Sequence, residues 1–290
     1  DTGIYQISAA TLSGWGFSDI SKVKIFGYGG AMISEIMGNG YIDDLPQVPV
    51  MRSGNRILFY AQSNVSWTET SGKIRFQQQQ NPYATAGYYF ITDRNDIDVA
   101  EMQTTAKAEK ASDKVITNTL ARIYHEKELT APGTTGRTLL GEDFRSAGTQ
   151  SFQFNLPGIV NDTDPVVKVA FAAYHTSGTA RALTVTSGKQ EVMKVSVSSL
   201  SGSNEYDICS TASSIGTVSY PGEKMTLQLS FSTGAAVRLA NLDYITVNYL
   251  RNLNLADKQI DFRSFTANCR DSVFAVSGIN EKTAIWDVTT

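Results

Sequence analysis

The sequence is poor in the residues that build metal centres and disulfide frameworks. Its 290 residues include two histidines, His125 and His175, and two cysteines, Cys209 and Cys269. Two histidines exclude a histidine-rich metal site, and two cysteines are too few for the disulfide framework of a small secreted domain. A disulfide between them would close a loop of about 60 residues, worth roughly 4 kcal/mol by the chain-entropy model. Two unpaired thiols agree with the sequence equally well, so the pairing stays open.

Long apolar runs and segregated charge are also missing. No apolar run approaches the roughly 18 residues of a membrane-spanning helix, so we expect no membrane span. The 25 basic and 28 acidic residues are spread along the chain and give a net charge of -3. Without a basic run or stripe, a nucleic-acid partner is not expected.

The two ends of the chain lack the features of a complete precursor. No basic and apolar leader follows Asp1, and residues 285–290 read as an interrupted strand. We therefore expect a fragment of a longer protein, or a chain whose signal peptide has been removed.

What the sequence does contain is typical of a globular chain rich in β-structure. Hydrophobic residues make up 41% and charged residues 18% of the sequence, which excludes disorder. A length of 290 residues is comfortable for two domains that each bury a core without metal or disulfide support.

Short runs with strict alternation of apolar and polar residues dominate the chain after residue 144. Residues 225–231 (MTLQLSF) are the clearest case, because their apolar and polar side chains separate completely at period two. Helix-length periodicity is missing between these runs, which argues against parallel βαβ units. We therefore predict an antiparallel β-sandwich over residues 131–255, jelly-roll-like in type.

The remaining segments predict a second β-rich region. Residues 1–130 form an N-terminal β-rich α+β domain that ends in a polar connecting segment, and residues 117–124 within it fit one helix or one strand. Residues 256–290 hold trailing strands. The predicted fold class is thus mostly β, with an α+β domain followed by the sandwich.

Motifs that suggest catalysis fail at their defining positions. The triplet at residues 1–3 (DTG) occurs once, whereas an aspartic peptidase needs two carboxylates that share a proton. The glycine-rich turn at residues 27–30 has Met32 where a dinucleotide-binding fingerprint needs glycine. His125 has Leu129 four positions later instead of a second zinc ligand. We therefore predict no catalytic, cofactor-binding or metal-binding residue and no cofactor.

One acidic turn is compatible with calcium. Asp162 and Asp164 lie in a short turn after Asn161 and supply the oxygen ligands that calcium prefers. Solvated acidic turns are far more common than calcium sites, so a calcium ion at this turn remains an open alternative.

Several motifs, taken in order, resemble a known family. They are residues 24–30 (KIFGYGG), 57–61 (ILFYA), 88–92 (YYFIT), 136–144 (GRTLLGEDF) and 286–289 (WDVT). The chain resembles the region before the peptidase domain in the gingipain-type cysteine peptidases of the type IX secretion system, in particular their sortase. Residues 136–144 resemble the family's linker into its second β-rich part, and we call them the joint.

The resemblance implies a source among the Bacteroidota and export to the periplasm, outer membrane or cell surface. It implies a parent cysteine peptidase whose catalytic residues follow residue 290, so this segment would be a non-catalytic scaffold. Its expected partners are the C-terminal peptidase domain of the same chain or secretion-system proteins. The alternative is a glycan-binding or adhesive β-sandwich module on the cell surface; fold alone cannot decide between them.

Overall fold

The computed structural model describes residues 1–36, 38, 44–105, 114–133, 136, 138–176, 178–234, 236–256, 259–263 and 272–288. β-strand is the dominant secondary structure of these residues, which confirms the predicted fold class. They fold into two compact units, Asp1–Trp67 with Gln78–Ala111 and Asn280–Thr290, and Thr68–Gln77 with Ser112–Ile279. The division into domains at residues 1–130, 131–255 and 256–290 stays a prediction.

The first unit contains two three-stranded antiparallel sheets and one short α-helix, with strand orders β1-β5-β4 and β3-β2-β8. Its elements are β1 (Gly3–Ser8), α1 (Ala9–Gly14), a 3-10 turn (Ile20–Lys22), β2 (Lys24–Gly29), β3 (Gln47–Val48), β4 (Val50–Ser53), β5 (Arg56–Ala61), β6 (Val65–Glu69), β7 (Phe76–Gln80) and β8 (Tyr88–Thr92). β6 and β7 form a hairpin whose tip, Thr68–Gln77, belongs to the second unit.

The core of the first unit is small and is filled by one face of each sheet. Ile57 and Phe59 of β5 and Ile25 of β2 are buried together with Leu12 of α1. The helix begins at a capped end, where the Ser8 hydroxyl accepts a hydrogen bond of 3.1 Å from the Thr11 amide. The short helix therefore closes this core.

Three backbone segments cross closely at the glycine-rich turn after β2. A Cβ atom on Gly30 would lie 2.7 Å from the Asn64 amide nitrogen and 2.9 Å from that of Gly87. Gly29 also has a φ of +76°, which side chains other than glycine rarely adopt. Residues 27–29, which the sequence predicted as part of a turn, belong to β2, and the end of this strand at Gly29 and Gly30 is a crossing point that requires glycine.

The second unit contains an eight-stranded sandwich of two antiparallel sheets, with strand orders β10-β17-β12-β15 and β11-β16-β13-β14. Its elements are β9 (Lys114–Ile116), β10 (Asn118–Glu126), β11 (Thr149–Asn155), β12 (Val166–His175), β13 (Arg181–Ser187), β14 (Gln190–Val197), β15 (Ser210–Thr217), β16 (Lys224–Phe231), β17 (Val237–Asn252) and β18 (Ser272–Phe274). Numbered along the sandwich, the orders are 1-8-3-6 and 2-7-4-5, the order of a jelly roll. The jelly-roll prediction is confirmed.

The sandwich core follows the alternation read from the sequence. Met225, Leu227, Leu229 and Phe231 of β16 are buried, whereas the residues between them face outward. They pack in one cluster with the inward side chains of β12 in the other sheet, such as Phe171. Each buried side chain of this size contributes about 1.5–3 kcal/mol of hydrophobic stabilisation.

The outer face of the first sheet is covered as well, by the tip of the β6–β7 hairpin. Asn248 of β17 accepts a hydrogen bond of 2.7 Å from the Phe76 amide and donates one of 3.0 Å to the Phe76 carbonyl. The Phe76 ring is fully buried between the guanidinium groups of Arg122, at 4.7 Å, and Arg263, at 5.1 Å. Residues 118–126 form the strand β10, so of the helix and the strand that the sequence left open for residues 117–124, the structure has the strand.

Residues 256–290, which were expected to hold trailing strands, contain fewer strands than predicted among their described residues. Residues 272–276 contribute β18, which pairs in parallel with β9. Residues 260–262 and 284–288 form no strand. Instead, the Phe262 ring packs 4.9 Å from that of Phe274.

Replacing Gly30 tests the backbone crossing. We expect Gly30→Ala to lower the free energy of unfolding by about 1–3 kcal/mol, because the new methyl group meets backbone atoms that cannot move independently. Gly14→Ala is the matched control, since a Cβ there meets nothing within 4 Å; it should leave stability unchanged or raise it. Denaturant titration measures both, and equal stability of the two variants would contradict the role of the crossing.

Candidate functional site

The joint continues the sandwich where β10 ends. The Gly141 amide donates to the Leu242 carbonyl at 2.7 Å, and the Phe144 amide donates to the Ala240 carbonyl at 2.7 Å. Leu140 and Phe144 are fully buried in the sandwich. The joint is thus part of the folded sandwich; Arg137 lies outside the described residues.

A carboxylate of the joint organises the neighbouring polar groups. Glu142 Oε1 lies 2.9 Å from His125 Nε2 and 3.0 Å from Lys127 Nζ. Burial raises the pKa of the Glu142 carboxyl, but the hydrogen bonds from its own backbone amide, Lys127 and His125 outweigh burial and place the pKa below its usual value. His125 also packs edge-on against Phe152, at 4.9 Å between ring centroids.

The second histidine is a core residue. His175 is fully buried, and its Nε2 atom lies 3.1 Å from the Val197 carbonyl oxygen. Both imidazoles therefore have structural partners within the sandwich.

The cysteines give no sign of an activated thiol. Cys209 is half-buried and forms no disulfide with another described residue. Burial and the charge of Asp243 raise its pKa, which is the opposite of what a nucleophilic cysteine requires. Cys269 lies outside the described residues, so the pairing of the two cysteines stays an open prediction.

The acidic turn considered for calcium is held by hydrogen bonds within the protein. The Tyr220 hydroxyl donates to Asn161 Oδ1 at 2.9 Å, and the Tyr220 amide donates to Asp164 Oδ1 at 2.9 Å. Asp162 is exposed and has a φ of +57°. In the part of the chain that the structure describes, no group of three or more His, Cys, Asp or Glu side chains is placed to hold a metal ion.

A cluster of titratable groups lies around a β-bulge of the first sheet. The pairing of β12 with β17 shifts between Ala170 and Phe171, which leaves Asp243 without an opposite residue. Burial raises the pKa of Asp243 to about 6, against the opposing effect of Lys168. Burial and the nearby acidic groups raise the pKa of Tyr244 to about 12. No pattern in the sequence points to this cluster, because a bulge creates it.

The first unit exposes an aromatic edge strand. β8 lies at the edge of its sheet, and on one of its faces the side chains of Tyr88 and Phe90 are 70% and 57% exposed. The intervening Tyr89 packs against the core. Natural edge strands are usually protected by charge, proline or a bulge, and the sequence of β8 (YYFIT) contains neither charge nor proline.

Removing the carboxylate of the joint should weaken the fold in a pH-dependent way. We expect Glu142→Gln to lower the free energy of unfolding by about 1–3 kcal/mol at pH 7, because a charged acceptor is lost. Since the folded pKa lies below 4.5, this stabilisation is fully present above pH 4.5 and disappears as the pH falls through the folded value. Denaturant titration across pH measures the difference.

Glu191→Gln serves as its control, because the Glu191–Lys194 pair is half exposed at 3.5 Å. A loss of stability equal to that of Glu142→Gln would argue against a special role of the joint.

Asp243→Asn should stabilise the fold at neutral pH, whereas Glu142→Gln should weaken it. With a folded pKa of about 6 against 3.8, the native state binds the proton more tightly. The contribution of Asp243 to stability is therefore greatest below pH 3.8 and is lost as the pH rises to 6. We expect Asp243→Asn to raise the free energy of unfolding by up to about 2 kcal/mol at pH 7.5 and to leave it unchanged near pH 3.8. The exposed Asp93→Asn is the control, and a pH-independent effect of Asp243→Asn would contradict the assignment.

None of the helices in the described part of the chain is long and apolar enough to span a membrane. No protein-family model matches the sequence, and a search of curated proteins finds no match.

Solved structures do match. PorU from Porphyromonas gingivalis, described as dimeric and latent, superposes with a TM-score of 0.81 at 28% identity, over 92% of this chain and 25% of the PorU chain. A family 35 carbohydrate-binding module from Clostridium thermocellum covers 45% of this chain and 90% of its own, with 11% identity and a TM-score of 0.25. The VP2 subviral particle of infectious bursal disease virus covers 87% of this chain and 71% of its own, with 10% identity and a TM-score of 0.26.

The last two TM-scores are too low to carry an argument. The chain spans about a quarter of the length of PorU. This superposition confirms the resemblance predicted from the motifs: the chain is similar to PorU over 92% of its length.

Proposed function

We propose that this chain is a non-catalytic scaffold and interaction region of an exported PorU-like cysteine peptidase. The observation that carries the proposal is the superposition on one quarter of PorU at a TM-score of 0.81. The remaining length of such a protein would hold the peptidase, and this region would pack against it.

The surroundings of the candidate catalytic residues support the non-catalytic part of the proposal. A cysteine peptidase needs a thiolate activated by an imidazole. Here Glu142 and the Val197 carbonyl engage the two imidazoles, and the pKa of Cys209 is raised. A structural role accounts for each of these groups.

The aromatic face of β8 supports the proposal that this region packs against the rest of a PorU-like polypeptide. Tyr88 and Phe90 would be removed from water by a partner that covers this edge, and burial of two aromatic side chains is a large contribution to protein association. The edge of the strand can also accept a further strand from the partner. We assign this surface to the remainder of the PorU-like polypeptide.

The test uses this chain and, produced separately, the part of Porphyromonas gingivalis PorU that the chain does not cover. Titration calorimetry should detect a complex. The double variant Tyr88→Ser and Phe90→Ser should weaken it by about tenfold or more, because the aromatic anchors are lost. Tyr206→Ser is the matched control, since Tyr206 is 81% exposed on a loop of the other unit, and its affinity should equal that of the unchanged chain.

Two results would contradict the proposal. Failure of the unchanged chain to form a complex, or equal affinity of the double variant, would exclude packing through β8. Hydrolysis of peptides by the isolated chain, lost in Cys209→Ala, would exclude the non-catalytic role.

A further inference from the structure

The four connections that join the two sheets at one end of the jelly roll lie together. They follow β10, β12, β14 and β16, and their described residues are 127–133, 136, 138–148, 176, 178–180, 198–209, 232–234 and 236. Neighbouring strands in each sheet are antiparallel, and residues 176–180 are too few to cross the length of the sandwich, so consecutive strands alternate in direction. We call this end the loop end.

Three arginines surround the last of these connections. Arg145 Nη1 donates to the Arg238 carbonyl at 2.8 Å, and Arg181 Nη1 donates to the Ser232 carbonyl at 2.7 Å. The Arg238 guanidinium lies over the Tyr174 ring, 5.3 Å from its centroid. Arg145, Arg181 and Arg238 therefore lie close to this connection, among acidic side chains such as Glu142 and Asp143.

The three guanidinium groups differ in how far their charge is neutralised. Arg145 forms a fork with the Asp143 carboxylate, with a closest distance of 2.6 Å. Among the described residues, no carboxylate forms an ion pair with Arg238. Arg238 thus presents an exposed positive charge on a ring that restricts its movement.

A cavity of 280 Å³ lies beside this charge. Arg238 contributes to its lining together with Leu239 and Leu129, whose side chain is 64% exposed. Arg145 and its ion-pair partner Asp143 line the cavity as well, and their charges offset each other. Among the described lining residues, Arg238 therefore supplies the net positive charge, beside the two leucines. The volume of the cavity lies just below the range of about 300–1,000 Å³ that is usual for small-molecule sites, which leaves room for one residue of a longer ligand.

We propose that the loop end binds the C-terminal residue of an extended peptide. The terminal carboxylate pairs with the guanidinium of Arg238, whose planar fork matches a carboxylate. The last side chain, an apolar one, packs against Leu129 and Leu239. Capture of a C-terminal carboxylate is an established mode of peptide recognition.

A sugar suits this cavity less well. Stacking of a sugar requires an aromatic face, and the face of Tyr174 is already covered by Arg238. The peptide is therefore the ligand that the charges and apolar side chains favour. This inference concerns the second unit and does not depend on packing through β8.

The test compares fluorescein-labelled hexapeptides that end in leucine with a free carboxylate or with a C-terminal amide. Fluorescence anisotropy with the whole chain should show about tenfold or more tighter binding of the free carboxylate. Arg238→Gln should abolish this preference, and Arg238→Lys should retain part of it, because the charge remains without the fork. Arg56→Gln, at an exposed arginine of the first unit, is the control and should change nothing.

Three outcomes would overturn the proposal. They are equal affinity for the two peptides, an unchanged preference in a folded Arg238→Gln variant, and no binding of either peptide. Binding of an anionic polysaccharide such as polygalacturonate that depends on Arg238, without peptide binding, would assign the site to glycans instead.

Discussion

The larger unit depends on the hydrogen bonding of β17 along both of its edges. β12 covers one edge, whereas β10 and then the joint cover the other. Where the joint ends, the Arg145 side chain continues the pattern by donating to the Arg238 carbonyl. Because buried backbone groups must find partners, the position of β17 fixes the position of the joint and of the polar groups around Glu142.

The sequence predicted the parts of the fold in which each strand has one buried face. β16 is such a strand, and its alternation led to the sandwich. β10 was left open between helix and strand, because most of its side chains are half-buried and only Thr119 is buried, so its sequence shows no clean alternation of apolar and polar residues. The hairpin tip at Thr68–Gln77 that covers the outer face of its sheet lies too far away in the sequence to be foreseen.

The candidate sites could not be predicted from the sequence, because they too are formed by residues that lie far apart in the chain. The raised pKa of Asp243 arises from a bulge, and the cavity beside Arg238 is formed by connections that only the jelly-roll topology brings together. The joint was recognised from its resemblance to a family linker, but that resemblance did not reveal that Leu140 and Phe144 belong to the core. Motifs thus located the relevant segments, and packing determined their roles.

The pairing of Phe76 with Asn248 has a consequence for the order of folding. The two residues are 172 positions apart, so this contact forms only after a long loop has closed. The Phe76 ring therefore cannot be buried until β17, much further along the chain, has formed. Until then an aromatic side chain that ends fully buried stays in water, where it adds to the apolar surface through which unfinished chains aggregate.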